Sequence, residues 1–439
     1  MSKVGLYTLG CKVSLYETEA VGEAFRREGF EIAPFEERCD VYVINTCTVT
    51  AESDAKSRKY IRRAIRKNPD AVVIVIGCYS QRAPDEVADI DGVSAVIGTQ
   101  DKMRCVEIAK AMLNSRLEIR NSKLIAVEKL DDAKFEPMCI ENAPRTRAYV
   151  KIEDGCECKC TYCAISGARG PVRSKAAEDV ISEVEGLYKK GTLEIVLTGI
   201  ETGSDGADFN EKYDLADLLC ELDRRCSCQR IRLGSMAPEL LSKSFIERVK
   251  DLKILVPHFH ISMQSGSDSV LRAMKRRYNR KMAIDNIVFI RKCIPDVMLT
   301  ADLMVGFPGE SEENFADTVN FVREARLLDA HVFAYSRREG TPAAEYENQI
   351  PDDVKKRRSA ELIKVCQEVR DQLLSEVVAK GEALSCILES RKGRGYTAHS
   401  DSYIEVSCEG EEGLSGHLVS VMPTRHENGI VYGEIIEIF

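Results

Sequence analysis

The sequence predicts an α/β protein built from an open parallel α/β region, a partial (β/α)6 barrel and a small C-terminal β-barrel. Strand and helix patterns alternate from the start of the chain, and six further strand–helix units follow between residues 148 and 335. The C-terminal end of the chain consists of short strands separated by Gly-containing turns. A chain of 439 residues has room for about three domains. We expect them at residues 1–130, 142–371 and 374–439.

The first region of the chain alternates strands of largely apolar sequence with amphipathic helices. The pattern predicts helices over 17–27, 55–66 and 103–113, and short loops between elements favour an open, mostly parallel sheet. Asp131–Arg147 has two prolines and no clear period, so we interpret it as a linker. The predicted strands are 4–8, 41–45, 72–76, 94–97 and 124–127.

The second region repeats the strand–helix pattern six times. A closed barrel of this kind uses eight units and about 250 residues, so six units predict an incomplete barrel that is open at one side. Lateral access would suit a large substrate. The predicted strands are 148–152, 194–198, 230–233, 258–263, 299–305 and 330–335, with helical patterns at 176–188, 215–225, 239–252, 268–274, 283–291 and 312–327.

The end of the chain changes in character. A long charged helix is predicted over 351–378, and short strand-like runs follow it, separated by turns such as Lys392-Gly393-Arg394-Gly395. These features predict a small β-barrel. The runs are 384–388, 403–406, 418–421 and 430–438.

Composition narrows the class of protein. The hydrophobic fraction of 44% and the charged fraction of 30% exclude a globally disordered chain. The longest apolar run, Ala71–Ile76, is far shorter than the ~20 residues of a membrane span, and the first residues lack a signal-peptide core, so we expect a cytoplasmic protein. In a reducing cytoplasm, 17 Cys favour metal or iron–sulfur ligation over disulfides. The net charge of −9 argues against nucleic-acid binding by the whole surface.

Cys156, Cys160 and Cys163 form a C-x3-C-x2-C motif just after the first barrel strand. Three thiolates can bind a 4Fe–4S cluster and leave one iron open, and that iron could take the amino and carboxylate groups of S-adenosylmethionine. Cys158 leaves an alternative, because C-x-C-x-C-x2-C could supply a closed four-thiolate site for zinc or iron–sulfur. The remaining interpretation is a loop of spare reduced thiols.

Cys11, Cys47 and Cys78 each follow a predicted strand of the first region. The carboxyl ends of parallel strands share one edge of a sheet, so these distant residues can converge there. Their three thiolates would again leave one cubane iron open. The alternative is that they are buried structural cysteines.

Several motifs together resemble the methylthiotransferase family of the radical S-adenosylmethionine superfamily, over nearly the whole chain. The segment Thr8-Leu-Gly-Cys-Lys-Val13 resembles the branch that acts on threonylcarbamoyladenosine in tRNA. The resemblance implies two 4Fe–4S clusters, one on each cysteine triad, and S-adenosylmethionine as a cofactor. The motifs that carry it are Gly155–Cys163, Ala168–Ser174, Leu197–Ile200, His260–Ser267, Met304–Glu310 and Tyr335–Pro342.

The implied reaction replaces an aromatic C–H of adenosine, next to the tRNA anticodon, by C–SCH3. That carbon is unactivated, so the resemblance implies radical chemistry that begins with cleavage of S-adenosylmethionine and needs a reducing electron donor. The cluster on Cys11, Cys47 and Cys78 would provide the sulfur, and a second S-adenosylmethionine would provide the methyl group. The alternatives are a methylthiotransferase for isopentenyladenosine or for a ribosomal protein aspartate, and a metal-bound RNA-binding module without catalysis.

Cofactor contacts are expected at the carboxyl ends of the barrel strands. Tyr162 could stack on an adenine, Thr198 and Gly199 could offer backbone groups to the methionine amine, and Arg277 or a neighbour could pair with the cofactor carboxylate. Ser235 and Gln264 could instead cap helices, and Asp302 could be a satisfied core acid. The expected cofactor-binding residues are Tyr162, Thr198, Gly199, Ser235, Gln264, Arg277 and Asp302.

Local basic clusters are the expected contacts to tRNA phosphates. One lies on the helix predicted over 55–66, and a second covers 272–281; a solvated helix face is the alternative for both. The C-terminal barrel resembles the TRAM domain, although residues 372–439 hold 5 Lys and Arg against 11 Asp and Glu, so it could instead position RNA or pack against other domains. The expected RNA-binding residues are Lys56, Lys59, Arg62, Arg63, Arg66, Arg391, Lys392 and Arg394.

Replacing Cys160 with Ala should abolish cleavage of S-adenosylmethionine and leave the N-terminal cluster in place. The reason is that the two remaining thiolates, Cys156 and Cys163, do not hold their cluster, whereas Cys11, Cys47 and Cys78 are untouched. Iron analysis and EPR after anaerobic reconstitution check this, with about eight irons expected in the wild type and about four in the variant. Unchanged cleavage, or zinc in place of iron, would contradict the assignment.

Overall fold

The structure is a computed structural model that describes residues 1–114, 123–143 and 146–439. In the described residues, the N-terminal region is a six-stranded sheet in which all neighbouring strands are parallel, in the order β2-β1-β3-β4-β5-β6. This confirms the predicted open α/β region. The strands are β1 (Lys3–Thr8), β2 (Glu31–Ala33), β3 (Val41–Thr46), β4 (Val72–Gly77), β5 (Ala95–Ile97) and β6 (Leu124–Ala126).

Helices cover both faces of this sheet. The central strands β3 and β4 are buried along their whole length, as expected for a parallel sheet with helices on both sides. Thr50 caps the N-terminus of α2: its side-chain oxygen accepts a hydrogen bond from the Ser53 backbone N–H at 3.1 Å. The helices are α1 (Lys12–Arg27), α2 (Ala51–Lys67), α3 (Cys78–Arg82), α4 (Pro84–Ala88) and α5 (Cys105–Asn114).

The second region has the six successive parallel strand positions that the sequence predicts. Gly234 divides the third position into two short strands, β11 and β12. The resulting seven strands form a three-stranded sheet, β11-β10-β7, and a four-stranded sheet, β12-β13-β14-β15, which meet at Gly234. The outer strands β7 and β15 do not pair with each other in the described residues, so the barrel is open there. The strands are β7 (Arg147–Lys151), β10 (Glu194–Thr198), β11 (Arg230–Leu233), β12 (Ser235–Met236), β13 (His258–Gln264), β14 (Met298–Val305) and β15 (Asp329–Ala334), with the hairpin β8 (Glu153–Asp154) and β9 (Arg173–Ser174).

Helices follow the barrel strands and enclose the main hydrophobic core with them. The bounds of the longer helices agree with the predicted ones to within a few residues. α13 is the long charged helix, and it packs against α12 and β15. The helices are α6 (Ile165–Arg169), α7 (Ala177–Lys189), α8 (Leu215–Arg225), α9 (Lys243–Val249), α10 (Asp268–Ala273), α11 (Arg280–Cys293), α12 (Glu312–Ala325) and α13 (Asp352–Lys380).

The C-terminal region is a closed five-stranded barrel, as the sequence predicts, in the order β16-β17-β18-β20-β19. The sequence analysis did not recognise the strand over 395–400, because its alternation includes the small and polar residues Gly395, Ala398 and Ser400. The strands are β16 (Leu384–Lys392), β17 (Gly395–Ser400), β18 (Glu405–Glu409), β19 (Leu418–Glu427) and β20 (Ile430–Ile438).

This small barrel docks on the amino ends of the large-barrel strands. Arg147, at the start of β7, pairs with Glu389 at 2.7 Å, and Arg230 donates to the Ser385 hydroxyl at 2.6 Å. The ring of His258 stacks on that of Tyr403 with centroids 4.6 Å apart. The carboxyl ends of the large-barrel strands therefore stay clear of the C-terminal region.

The segment after the first sheet is packed, which the linker interpretation of Asp131–Arg147 did not anticipate; residues 144 and 145 lie outside the described residues. Met138 and Ile140 are buried in the main core. The Tyr16 hydroxyl donates to the Met138 carbonyl at 2.7 Å, and Glu183 accepts from the Ile140 N–H at 2.7 Å. The segment therefore holds α1 against α7.

A buried ionic network joins the N-terminal sheet to the barrel. Glu17 on α1 accepts from Arg169 on α6 at 2.5 Å and from Lys151 on β7 at 3.2 Å, and Lys102 lies 3.2 Å away. Burial alone would raise the pKa of Glu17, but Arg169, Lys102 and Lys151 hold it well below its ordinary value. Asp154 accepts from Arg169 at 3.1 Å and from Lys151 at 3.2 Å. All five side chains are almost fully buried.

Among the described residues, no helix combines the length and the apolar composition that crossing a bilayer would require.

Replacing Glu17 with Gln should lower the free energy of unfolding by about 3–5 kcal/mol, because it leaves buried cations without their shared carboxylate. Glu28→Gln, at the C-terminal end of the same helix, is the matched control, since Glu28 pairs with Lys110 at 2.6 Å and both are half exposed. The control should change stability by less than about 1 kcal/mol. Chemical denaturation compares the two, and equal effects would show that the network does not hold the domains together.

Candidate functional site

The first cysteine triad lies at the carboxyl edge of the N-terminal sheet. Cys47 and Cys78 directly follow β3 and β4, and Cys11 lies three residues after the end of the adjacent strand β1. Burial raises the pKa of Cys47, and the Cys11 thiolate raises it further; both Cys11 and Cys47 also raise the pKa of Cys78. The structure therefore brings these three residues together, as the sequence predicts.

Two glycines allow the backbone to fold tightly around these thiols. Gly77 has a φ of +101°, and a Cβ there would lie 2.4 Å from the Asn45 side-chain oxygen. Gly10 has a φ of +122°, and a Cβ there would meet that of Cys47 at 3.3 Å. A larger residue at either position would displace the cysteine beside it.

Arg169 donates a hydrogen bond to one thiol of this triad. Its Nε donates to Cys78 Sγ at 3.2 Å, while its other nitrogens contact Glu17 and Asp154. Burial raises the pKa of Cys78 to about 12, and Arg169 opposes that effect because its charge stabilises the thiolate. Arg169 belongs to the motif Ala168–Ser174, but the sequence alone assigns it no role at this triad.

The second triad lies in the loop between β8 and α6. Gly155 has a φ of +97°, and a Cβ there would lie 1.9 Å from the Pro171 carbonyl oxygen, so only glycine fits before Cys156. Cys163 Sγ accepts a hydrogen bond from the Ile165 N–H at 3.3 Å. Because Arg169 ends the helix that follows this loop and contacts Cys78, the two triads lie on either side of one domain interface.

Arg276, a neighbour of the predicted Arg277, is the cation that contacts this second triad. Its Nη1 donates to Cys160 Sγ at 3.2 Å, and its Nη2 donates to the Ser262 carbonyl at 3.1 Å. Arg277 is exposed and donates to the Glu157 carbonyl at 3.2 Å. The sequence placed a cation at this point of the fold but did not distinguish between the two arginines.

Cys158 lies against Cys156 rather than apart from the triad. Its backbone N–H donates to Cys156 Sγ at 3.5 Å. The interaction with Cys156, together with the charges of Arg276 and Arg277, lowers the pKa of Cys158 to about 6, and the same interaction raises that of Cys156. The fourth thiol of the loop is therefore close to the first.

Two buried carboxyl groups stand at the strand ends beside the loop. Glu153 Oε2 accepts from the Glu201 N–H at 2.9 Å, while its Oε1 is buried and has no partner in the described part of the chain. A Cβ on Gly199 would lie 2.4 Å from Glu153 Oε2, so the glycine allows this close approach. Burial raises the pKa of Glu201 to about 8. Sequence analysis named Thr198 and Gly199 but missed both acids.

The other predicted cofactor residues occupy the same end of the barrel. Thr198 is buried at the end of β10, and Ser235 is half buried in β12. Gln264 ends β13 with a φ of 65° and is buried. The ring of Tyr162 lies 6.5 Å from that of Phe307 in an edge-on arrangement. Their roles remain predictions.

Asp302 lies deeper, in the middle of β14. Its carboxylate is 3.2 Å from His260 Nε2 on β13 and 3.4 Å from His331 Nδ1 on β15. Hydrogen bonding to Asp302 raises the pKa of His331. These three residues face the barrel interior on neighbouring strands, an arrangement that the sequence did not indicate.

Lys12 is the first residue of α1, which packs against β7, and its charge interacts with residues of the same interior. Burial lowers its pKa, Arg232 and Arg147 act in the same direction, and Asp302 opposes them. The Lys12 charge in turn lowers the pKa of His258. Since Lys12 follows Cys11 directly, the edge of the first triad adjoins the interior of the barrel.

The donor sets fit iron–sulfur clusters better than single ions. In the described ranges, no three His, Cys, Asp or Glu side chains surround a point that one metal ion could occupy. A cubane takes each thiolate on a different iron, so its cysteines need not converge on one point. Three thiols with a hydrogen-bonding arginine beside each triad match that requirement, and the unpartnered Glu153 oxygen suits the ammonium group of S-adenosylmethionine.

The predicted basic helix is largely available for RNA. Lys56, Lys59, Arg62 and Arg66 are exposed on α2 and form no ion pair within the described residues, whereas Arg63 pairs with Glu36 at 2.6 Å. In the C-terminal barrel, Lys392 and Arg394 are exposed at the turn between β16 and β17, and Arg391 pairs with Glu412. Contact of either group with RNA remains a prediction.

Comparison with known proteins agrees with this geometry. Residues 3–98 match the family described as Uncharacterized protein family UPF0004, and residues 150–322 match the Radical SAM superfamily. A threonylcarbamoyladenosine tRNA methylthiotransferase MtaB of Bacillus subtilis is 40% identical over 96% of this chain and 93% of its own length. The protein of that name from Aquifex aeolicus is 34% identical over 96% of this chain and 100% of its own.

A tRNA-2-methylthio-N(6)-dimethylallyladenosine synthase of Acetivibrio thermocellus is 30% identical over 98% of this chain and 90% of its own. Among solved structures, the radical S-adenosylmethionine methyltransferase TsrM of Kitasatospora setae, with cobalamin and a [4Fe-4S] cluster bound, has a TM-score of 0.58 at 18% identity and covers 78% of this chain and 77% of its own. That likeness supports the fold.

The fold and the two triads thus define a radical S-adenosylmethionine protein with a second cysteine-bearing domain. Within that class, the chain belongs to the methylthiotransferase family.

Replacing Arg276 with Met should lower the rate of S-adenosylmethionine cleavage about 10- to 100-fold, because it removes a positive charge and a hydrogen bond from the sulfur of Cys160. Arg224→Met is the matched control, since Arg224 lies at the end of α8 with an exposed side chain that forms no hydrogen bond or ion pair within the described residues.

The reduction potential of the cluster, measured by EPR titration, should become more negative in Arg276→Met alone, because a nearby cation favours the reduced cluster. Equal shifts in both variants would contradict a specific role for Arg276.

Proposed function

We propose that the protein catalyses methylthiolation of threonylcarbamoyladenosine next to the anticodon of tRNA. The observation that carries this proposal is that the two cysteine triads lie on either side of one interface. Arg169 ends α6, the helix that follows the Cys156–Cys163 loop, and it donates a hydrogen bond to Cys78 of the other triad. The reaction needs two such centres, and the two relatives named for this activity match nearly the whole chain.

The cofactors would supply the radical and the sulfur chemistry when they are bound, with electrons from a reducing electron donor. Cys156, Cys160 and Cys163 would hold one 4Fe–4S cluster, and Cys11, Cys47 and Cys78 the other.

The residues of the chain bind and orient the reacting groups. Arg276 keeps Cys160 in position, while the Glu153 carboxylate and the Thr198–Gly199 backbone would receive the ammonium group of S-adenosylmethionine. The buried interface around Arg169 excludes water from the side of Cys78. The remaining predicted residues at this end, Tyr162, Ser235, Gln264 and Arg277, would complete the cofactor pocket.

The target nucleoside would enter through the open side of the barrel, between β7 and β15. Lys12 begins α1, which packs against β7, and the charges of Asp302 and Arg232 act on it, so Lys12 and its neighbour Cys11 lie on the side of α1 that faces this opening. Exposed Lys56, Lys59, Arg62 and Arg66 would hold tRNA phosphates.

We further propose that the chain has three domains, at residues 1–130, 142–371 and 374–439, and that the last is a TRAM domain. We also propose that the protein acts in the cytoplasm, where its tRNA substrate is found. Since the small barrel docks on the amino ends of the large-barrel strands, its own RNA contact would be limited to the exposed turn with Lys392 and Arg394.

Nucleoside mass spectrometry of tRNA from a deletion strain tests the function. The methylthio form of threonylcarbamoyladenosine should disappear, its precursor should accumulate, and the wild-type gene should restore the modification. The Cys160→Ala gene should not. Persistence of the product in a strain without a paralogue would refute the proposal, and loss of the isopentenyladenosine product instead would favour the other tRNA branch.

A further inference from the structure

The interior of the barrel holds a polar group of residues that cluster binding does not use. His260, Asp302 and His331 lie on three neighbouring strands, joined by contacts of 3.2 and 3.4 Å. Thr300 adds a hydroxyl 2.8 Å from His260 Nδ1. The His331 side chain is 73% exposed and those of Asp302 and His260 are 25% and 20% exposed, so the group faces open space near the edge strand β15.

Lys12 adds a cation to this space. It begins α1 directly after Cys11, and α1 packs against β7, the first strand of the barrel. The charges of Asp302, Arg232 and Arg147 act on it from three different strands of the barrel. Within the described parts of the chain, Lys12 forms neither a hydrogen bond nor an ion pair.

The two arginines that act on Lys12 are already paired with carboxylates. Arg232 is held by Glu194 through contacts of 2.9 and 3.0 Å, and Arg147 by Glu194 at 2.5 Å and Glu389 at 2.7 Å. Asp302 in turn is engaged by two histidines. The charges of both arginines are thus neutralised by carboxylates, although Arg232 Nη1 has no hydrogen-bond partner in the described residues. Lys12 is the cation of this group that has no paired carboxylate and is left to pair with a ligand.

We propose that Lys12 and the His260–Asp302–His331 group form the binding site for an amino-acid substituent on the target adenosine, with Lys12 pairing with its carboxylate. This rests on the proposed function, and it deepens that function by assigning the residues that select the nucleoside. A threonylcarbamoyl group offers a carboxylate to Lys12, and a hydroxyl and N–H groups to Asp302, so each charged side chain finds a complementary partner.

The same site disfavours a hydrocarbon substituent. An isopentenyl group would cover Lys12 and Asp302 without replacing the hydrogen bonds that water makes to them, which is unfavourable for charged groups. A site that is built for polar contacts rejects analogues that lack them more strongly than an apolar pocket rejects polar ones. Selection between the two tRNA nucleosides would thus occur beside Cys11.

The experiment measures binding of anticodon stem-loop RNAs to the reconstituted holoenzyme by fluorescence anisotropy. Three RNAs differ only at the target base, which carries the threonylcarbamoyl group, its methyl ester or an isopentenyl group. Wild-type protein should bind the acid about 10-fold or more tightly than the ester, since one charge-assisted hydrogen bond is lost in the ester.

Lys12→Met and Lys12→Gln should bring the acid and the ester to within about 2-fold of each other, while Lys12→Arg keeps most of the preference. Lys253→Met, which changes an exposed lysine that has no ion pair in the described residues, is the matched control and should behave as wild type. An acid-over-ester preference that survives in both uncharged variants would overturn the proposal.

Iron content is measured for every variant, because Lys12 adjoins a cluster ligand. If both uncharged variants lose the iron of one cluster, Lys12 serves that cluster and the proposal is wrong. Failure of the function itself looks different: wild-type protein would then show no preference for the threonylcarbamoyl RNA over the isopentenyl RNA, whatever stands at position 12.

Discussion

The pairing of Glu17 with Arg169 is the interaction on which the arrangement of the site depends. Both side chains are fully buried, and together with Lys102, Lys151 and Asp154 they join the N-terminal sheet to the barrel. A buried charge network tolerates little displacement, because any partner that moves leaves an uncompensated charge in a medium of low polarity. Since Arg169 also bonds to Cys78, the same constraint that orients the domains fixes one cysteine of the first triad relative to the loop of the second.

Much of this organisation could be predicted from sequence because its signals are local. Cys11, Cys47 and Cys78 each follow a strand with an apolar pattern, and the topology of parallel sheets alone brings such positions to one edge. The six barrel strands were recognisable for the same reason. The strand over 395–400 was not, because its residues are small and polar, and it is closure of the five-stranded barrel that determines its conformation.

Contacts between residues far apart in the chain were beyond sequence reasoning. Nothing in the spacing of Arg169 and Cys78, or of Lys12 and Asp302, indicates that they lie close together, because their proximity results from how two domains dock. The choice between Arg276 and Arg277 is of the same kind: adjacent arginines have the same chemistry, and only the backbone direction decides which one reaches Cys160. The segment 131–142 read as a linker because its packing residues, such as Met138 and Ile140, follow no regular period.

The docking of the C-terminal barrel on the amino ends of the large-barrel strands has a consequence for inheritance. Arg147, Arg230 and Glu194 belong to one domain and Glu389 and Ser385 to another, just as Glu17 and Arg169 are divided between the first domain and the second. A lineage that exchanged the middle domain with a relative would have to bring matching partners across both boundaries at once. The three parts should therefore diverge in concert, with substitutions at one boundary residue accompanied by changes in its partner on the other side.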